Sequence, residues 1–207
     1  TLNDPPALSV MVANQIDVSC NGGSDGEVLL MGTGGTGTLE YSADGTNFQP
    51  STAFPGLSAG AYTFTVRDGN GCTAVTNTNV GEPAPINATI TTSDPLCVGS
   101  SDGSLEITLT TGGTAPYEYS VDGSPFGPTT NYTGLSAATY SVAVQDVSGC
   151  TFNTSATLND PPALSVMVAN QIDVSCNGGS DGEVLLMGTG GTGTLEYSAD
   201  GTNFQPS

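Results

Sequence analysis

Five cysteines have the most regular spacing of any reactive side chain in the sequence. Cys20 precedes Cys72 by 52 residues, Cys97 precedes Cys150 by 53 residues, and Cys176 has no later partner. Single, widely separated cysteines without histidine do not match a zinc site, whose ligands cluster in short motifs. The nearly equal spacings predict two disulfides, Cys20–Cys72 and Cys97–Cys150, with Cys176 paired outside the chain. Disulfides in turn indicate an oxidising compartment.

Four aspartates near these cysteines could bind a cation. They are Asp25, Asp68, Asp102 and Asp146. The predicted disulfides would draw an acidic "NGGSDG" loop toward an acidic "RDGNG" loop, and carboxylates and carbonyls of flexible loops are the ligands that calcium prefers. Asp-Gly is also the ordinary sequence of a tight turn. The four aspartates are therefore a candidate calcium site, with turn formation as the alternative, and no other cofactor is expected.

The residue types exclude most enzymatic chemistry. The chain has no histidine and no lysine, so it lacks a Ser-His-Asp or Cys-His arrangement and a Schiff-base lysine. A carboxylate pair for glycoside hydrolysis would need Glu40 or Glu118, but these alternate with the core tyrosines Tyr41 and Tyr119 and should point into solvent. We therefore expect no enzymatic activity.

Charge and hydropathy limit the partners. The formal net charge is -19, with 20 acidic residues and one basic residue, Arg67. Such a polyanion repels nucleic acid and anionic lipid surfaces. The longest aliphatic run, Val28 to Met31, is far shorter than the roughly 20 residues of a membrane helix. We expect no nucleic acid partner and no membrane insertion.

The elements that position these residues come from internal repetition. Residues 1–51 are identical to residues 157–207, and a diverged copy lies between them, with a period of about 78 residues. This predicts three domains, at 1–80, 81–157 and 158–207. The third repeat is incomplete, so we expect it to continue in a longer chain or, alternatively, to be completed by strands from another chain.

Each repeat reads as short strands of period two. Ile16, Val18 and Cys20 alternate with polar residues, as do apolar residues within 62–67 and 140–144. Asp-Gly pairs at 44–45 and 122–123 are typical of hairpin turns. Six or seven strands in about 78 residues predict an all-β fold of tandem immunoglobulin-like β-sandwich domains in a linear array.

Two further features agree with that fold. The segments "GLSAGAY" and "GLSAATY" place Tyr62 and Tyr140 where a β-sandwich has a tyrosine corner. Proline-bearing junctions, "NDPPA" and "GEPAP", predict semi-rigid connections between repeats. The acidic residues Asp4, Glu82 and Asp160 at these junctions are expected to be exposed linker charges.

The ordered motifs "CNGGSDGEV", "GTGGTGTLEYSADG" and "GLSAGAYTFTVRDGNGC", with their second copies, resemble the SprB-type repeat of surface adhesins in gliding bacteria of the Bacteroidota. The resemblance spans essentially the whole chain. It implies a long extracellular, cell-surface protein exported by the type IX secretion system, whose repeats form a filament involved in adhesion and, in some members, gliding motility.

These observations together predict a structural stalk that presents an adhesive region for attachment or gliding. Its expected partners are neighbouring repeats of the same chain, with other filaments or surface glycans as further candidates. Two alternatives stay open: a filament of short subunits that exchange strands, and a glycan-binding module. For the last, Tyr117 and Tyr132 are the candidate aromatic contacts, although both could belong to the core.

Overall fold

The protein folds into β-strands joined by turns. The computed structural model describes residues 4–206, which contain sixteen strands and no helix. The strands of the first repeat are β1 (Ser9–Ile16), β2 (Gly26–Thr33), β3 (Glu40–Ser42), β4 (Ala53–Leu57), β5 (Gly60–Arg67) and β6 (Thr73–Val80). Those of the second are β7 (Asn87–Ser93), β8 (Gly103–Thr111), β9 (Tyr117–Val121), β10 (Asn131–Leu135), β11 (Ala138–Asp146) and β12 (Thr151–Leu158). The remaining four are β13 (Ser165–Ile172), β14 (Glu183–Thr189), β15 (Glu196–Tyr197) and β16 (Gln205–Pro206).

The first repeat is a sandwich of two three-stranded antiparallel sheets, ordered β1-β2-β4 and β3-β5-β6. Its core forms because the period-two strands turn alternate side chains inward. Val28 and Leu30 of one sheet and Phe64 and Val66 of the other are buried in one cluster. Threonines alternate with these residues along β5 and lie on the opposite face.

The second repeat has the same strand order, with sheets β7-β8-β10 and β9-β11-β12. Leu105 of β8, Val142 and Val144 of β11 and Leu158 of β12 are almost completely buried. The predicted all-β fold of immunoglobulin-like β-sandwich repeats is confirmed.

The third repeat shows what the missing strands contribute. It forms only the pairs β13-β14 and β15-β16 within the described residues. Val184 is 57% exposed, whereas its counterpart Val28, in an identical stretch of sequence, is fully buried. Phe64 and Val66 of β5 cover Val28 in the first repeat, and residues 157–206 contain no counterpart of β5 or β6. The apolar face of β13-β14 is therefore open.

The chain divides into two compact units whose limits differ from the predicted domains. The first consists of Thr1–Asn87, Thr110–Glu118 and Val144–Phe152, and the second of Ala88–Leu109, Tyr119–Ala143 and Asn153–Ser207. The first unit thus includes loops of the second repeat. The domain limits at residues 80 and 157 stay a prediction.

Each repeat has two ends, which we call poles. The N-terminal pole, where the chain enters the first repeat, consists of residues 6–8, 33–37 and 68–72. Its loops are joined by backbone hydrogen bonds, from Gly35 N to Pro6 O (2.8 Å) and from Gly69 N to Thr36 O (2.8 Å). The β5–β6 turn, which carries Cys72, therefore lies at the N-terminal pole.

The C-terminal pole, where the chain leaves the first repeat, consists of residues 16–26 and 80–83. Here Val18 N donates to Gly81 O (2.9 Å), and Gly81 N donates to Asp17 Oδ1 (2.9 Å). These bonds end β1 at Ile16, so the predicted strand through Val18 and Cys20 is wrong. Val18 still reaches the core from the loop, which explains its place in the apolar pattern.

Both predicted tyrosine corners are present, whereas only one of the two predicted hairpin turns is: at Asp44-Gly45 only Gly45 has a positive φ (+73°). Tyr62 Oη donates to Ser58 O (3.0 Å) and Tyr140 Oη donates to Ser136 O (2.9 Å), which confirms both tyrosine corners. Gly123 has a φ of +73°, and Asp122 before it has a φ of +49°. Positive φ at both central positions is what the predicted hairpin turn requires.

Candidate functional site

The main chemical feature of the structure is a disulfide between Cys20 of the first repeat and Cys150 of the second. Their Cα atoms are 5.5 Å apart and 130 residues separate them in the sequence. Cys72 and Cys97 are free and exposed. The predicted pairings Cys20–Cys72 and Cys97–Cys150 are therefore wrong. Cys176 is also free and exposed, and its pairing outside the chain stays a prediction.

The geometry of the sandwich explains the error. Cys20 lies at the C-terminal pole of the first repeat, whereas Cys72 lies at the opposite, N-terminal pole. An eight-residue strand such as β5 spans roughly 25 Å between these poles. A disulfide needs Cα atoms about 4.4 to 6.8 Å apart, so the two cysteines of one repeat are too distant to bond.

The loop that carries Cys20 is fixed to the segment that links the repeats. Asn21 Nδ2 donates to Pro83 O (3.0 Å), and Gly22 N donates to Glu82 Oε2 (2.5 Å). Both contacts bring the Cys20 loop onto the chain that leads into the second repeat. We call this region, with the disulfide, the first joint.

The loop that carries Cys150 is fixed by a buried carboxylate. Asp146 is only 5% exposed. Its Oδ1 accepts hydrogen bonds from the N–H groups of Ser148 and Cys150 (both 2.9 Å), and its Oδ2 accepts one from Thr114 N (2.8 Å). These bonds fix the β11–β12 turn at the N-terminal pole of the second repeat, where Cys150 meets Cys20.

A cleft of about 430 Å³ surrounds the disulfide. It is lined by Cys20, Asn21, Pro83, Ala84, Pro85, Ile86, Gly113, Gly149, Cys150, Thr151 and Phe152. All of these residues belong to the first compact unit. The cleft therefore lies where the first two repeats meet, and it is bordered by prolines, glycines and the disulfide.

The glycines at the N-terminal pole of each repeat have a steric role. Gly112 has a φ of +75°, and a Cβ built on it would lie 1.9 Å from Pro85 O. Gly34 and Gly190, at the same position of the other repeats, would meet Ala7 O and Ala163 O at 2.0 Å. The recurring Gly-Gly-Thr motif therefore lets the linker pass against the N-terminal pole.

The four aspartates predicted to bind calcium brace their own loops instead of facing one another. Asp68 accepts backbone N–H bonds from Thr36 (2.9 Å), Asn70 (3.0 Å) and Cys72 (2.9 Å). The bond from Thr36 is the largest cause of the lowered pKa of Asp68, and the bond from Cys72 adds to it. Asp146 occupies the equivalent position in the second repeat.

Asp25 and Asp102 brace the other pole. Hydrogen bonds from the Ser19 hydroxyl and the Ser19 N–H lower the pKa of Asp25. The Ser100 hydroxyl and the Leu96 N–H lower the pKa of Asp102 in the same way. No group of three or more potential metal ligands occurs among residues 4–206. The calcium site stays a prediction, and the observed hydrogen bonds give these aspartates a structural role.

Two junction acids have a role that sequence reasoning missed. Glu82 accepts the Gly22 N–H, and Asp160 accepts the Gly99 N–H (3.1 Å) at the next junction. They are exposed, as predicted, and they also connect the linker to the preceding loop. Their recurrence 78 residues apart, each just before a proline, was the available signal.

The residues considered for catalysis and glycan binding have structural contacts. Glu40 Oε2 pairs with Arg67 Nη2 at 2.6 Å on a half-exposed surface, and the Arg67 guanidinium lies 4.0 Å from the centre of the Phe48 ring. Tyr117 Oη donates to Gly112 O (2.6 Å), and Tyr132 is partly buried. None of these contacts assembles a reactive group.

Within the described residues, no helix is long and apolar enough to cross a membrane. Among solved structures, the chain is similar to the three N-terminal domains of the bacteriophage RB49 Highly Immunogenic Outer Capsid protein (Hoc). That match has 14% identity, covers 90% of this chain and 71% of that chain, and has a TM-score of 0.42. The search of curated proteins returned no match.

The family comparison is specific to the repeats. A family model described as the SprB repeat matches residues 12–46, 89–126 and 168–202. One match falls in each predicted repeat, and the three together span just over half of the 207 residues. The chain belongs to the SprB repeat family.

Proposed function

We propose that this chain forms part of the structural stalk of an extracellular surface filament, which holds an adhesive region away from the cell for attachment or gliding. SprB repeats occur in cell-surface proteins, and the family match is the basis for this location. The stalk acts mechanically rather than by catalysis, and its partners are neighbouring repeats. Other filaments and surface glycans remain predicted partners.

The observation that carries the proposal is the Cys20–Cys150 disulfide. A bond between consecutive repeats does little for a binding pocket, but it prevents two domains from separating under load. Because it closes a 130-residue loop, it also shields that length of chain from extension when the domains unfold. Both effects suit an element that transmits force.

The charge of the chain supports the same role. With a net charge of -19 and a single basic residue, neighbouring stalks repel one another and resist aggregation. Few exposed cationic groups are left to attract nucleic acid or acidic surfaces.

The proposal is tested by labelling intact cells that produce the protein with an antibody raised against the 207-residue chain. Electron microscopy should show label on filaments that extend from the cell surface. Label that appears only after the cells are permeabilised would overturn the proposal. An antibody to a cytosolic protein is the control for cell integrity.

The alternative, a filament whose subunits complete each other by strand exchange, stays a prediction. The mass of the native polypeptide under reducing, denaturing conditions separates the two. A mass many times 20.6 kDa supports a tandem stalk, and a mass near 20.6 kDa supports strand exchange.

A further inference from the structure

We infer that the C-terminal pole of every repeat is a docking site for the cysteine-bearing turn of the next repeat, and that a disulfide closes each such joint. Cys97 therefore bonds to the cysteine of the β5–β6 turn in the repeat that follows it, and Cys72 bonds to the repeat that precedes it. The inference concerns the joints alone and holds whether or not the chain carries an adhesive region.

The first joint shows the complete arrangement. The Cys20 loop supplies one side, and the turn Gly149–Phe152 supplies the other. Cys150 is buried in this contact, and its Sγ lies 3.3 Å from Ser19 O. By contrast Cys72, at the same position of the first repeat, is exposed. The cysteine of this turn is thus buried where a preceding C-terminal pole is present.

The junction after the second repeat, which we call the second joint, has half of the same arrangement. Asn159 N donates to Asp94 Oδ1 (2.9 Å), and Gly99 N donates to Asp160 Oδ1 (3.1 Å). These bonds match Gly81 to Asp17 and Gly22 to Glu82 in the first joint. The loop that carries Cys97 is therefore fixed to its linker as the Cys20 loop is.

A cleft at the second joint has all but one of the walls of the cleft at the first joint. It measures about 250 Å³ and is lined by Leu96, Cys97, Val98, Pro161, Pro162, Leu164, Gly191 and Thr192, all within the second compact unit. These correspond to the loop, linker and Gly-Gly-Thr residues of the first joint. The missing wall is the counterpart of Gly149–Phe152. Cys97 is free and exposed beside that gap.

The spacing fits the missing partner. Residues 157–207 repeat residues 1–51, so a copy of Cys72 in the third repeat would follow Cys97 by 131 residues (72 plus 156, less 97). Cys20 and Cys150 are 130 residues apart. The extra residue comes from the one-residue difference between the first two repeats. The third repeat also has the Gly191–Thr192 loop on which such a turn rests in the first two repeats.

The chemistry of each joint is an ordinary oxidation. Two cysteine thiols lose two protons and two electrons, one S–S bond forms, and an external disulfide oxidant is reduced to two thiols. Cysteines on exposed loops are accessible to such an oxidant. No metal or other group is required.

Bridges of this kind would overlap along the chain. Cys97 lies between Cys20 and Cys150, so the second bridge starts inside the loop closed by the first. In an unfolded array the shortest covalent path would cross each bridge and follow the chain only from Cys150 to the next bridge, at Cys176. That stretch is 26 residues (176 less 150) of every 156 residues of the array. The array would then extend to roughly one-sixth of the length of an unbridged chain.

The test uses a lengthened chain in which a copy of residues 52–80 follows Ser207, so that the third repeat is complete. After refolding with oxidised glutathione, the chain is cleaved before aspartate without reduction and the linked fragments are identified by mass spectrometry. We expect fragment 94–101, which carries Cys97, to be linked to the appended copy of Cys72. Free thiols should fall from three in the original chain to two.

Cys97→Ser in the lengthened chain is the matched control, since it should leave the appended cysteine free and the Cys20–Cys150 bond unchanged. A second chain, with a copy of residues 81–156 placed before Thr1, tests the other side and should link Cys72 to the copied Cys97. The intact Cys20–Cys150 bond reports folding in both chains. A free Cys97 alongside that bond, or a Cys97–Cys150 linkage, would overturn the inference.

Discussion

The extensibility of the oxidised chain is the sharpest consequence of the Cys20–Cys150 bond. Fully unfolded and stretched at about 3.5 Å per residue, the reduced chain of 207 residues spans roughly 720 Å. The bond removes 130 residues from the path between the ends. The oxidised chain should therefore be shorter by about 450 Å, with a span of roughly 270 Å.

Single-molecule force spectroscopy with handles at the two termini measures this difference directly, before and after a reductant is added. Bonds within each repeat, at spacings of 52 and 53 residues, would instead shorten the chain by about 370 Å. The variants separate the two arrangements more clearly. Cys150→Ser should restore the full length, whereas Cys72→Ser should change nothing. A gain of about 180 Å in Cys72→Ser would refute the reasoning.

Four further predictions concern the disulfide and the loop aspartates. Cys150→Ser should lower the free energy of unfolding by about 5 kcal/mol in the chain-entropy model, measured with guanidinium chloride, while Cys72→Ser should leave it unchanged. Asp68→Asn should lower the melting temperature because an amide cannot accept three N–H bonds as a carboxylate does, with the exposed Asp4→Asn as control. Because the pKa of Asp68 is lowered in the folded chain, its carboxylate contributes stability that is fully present above the unfolded carboxyl pKa of about 3.9 and is lost as the pH falls below that value. In 0.15 M salt, Asp68→Asn should therefore lose less stability below that pH than the unsubstituted chain does. Calcium should not shift the melting temperature relative to EDTA, since backbone N–H groups occupy these carboxylates; a clear rise would support the calcium site.

Local periodicity predicted the strands well where an apolar face meets the core. The alternation of Phe64 and Val66 with threonines defined β5, and the positions of Tyr62 and Tyr140 defined the corners. In these segments the side-chain pattern and the fold follow from the same two-residue period.

The cysteine pairing could not be derived in that way because spacing does not state which pole a residue occupies. Equal intervals between Cys20 and Cys72 and between Cys97 and Cys150 fit bonds within repeats, but a bond from Cys20 to Cys150 keeps the same periodicity. The deciding fact is that β1 runs toward the C-terminal pole and β5 runs back to the N-terminal pole, so Cys20, after the end of β1 at Ile16, lies at the opposite pole from the β5–β6 turn. That end depends on hydrogen bonds to Gly81, 64 residues away.

The contacts of the junction acids were missed for a related reason. Glu82 and Asp160 stand among prolines, where a charged residue is usually solvated. Their actual partners, Gly22 and Gly99, lie about 60 residues earlier and are backbone groups that carry no side-chain signal. Contacts of this kind become visible only once the loops are placed.

The most direct test of the central claim, that a covalent bond joins consecutive repeats, is a non-reducing fragment map of the native chain. Cleavage before aspartate gives identical fragments at 17–24 and 173–180, so the map is made on the Cys176→Ser variant, in which only the first of these carries a cysteine. The account predicts that fragment 17–24 is linked to fragment 146–159, which carries Cys150. Linkage of fragment 17–24 to the fragment that carries Cys72 would contradict it.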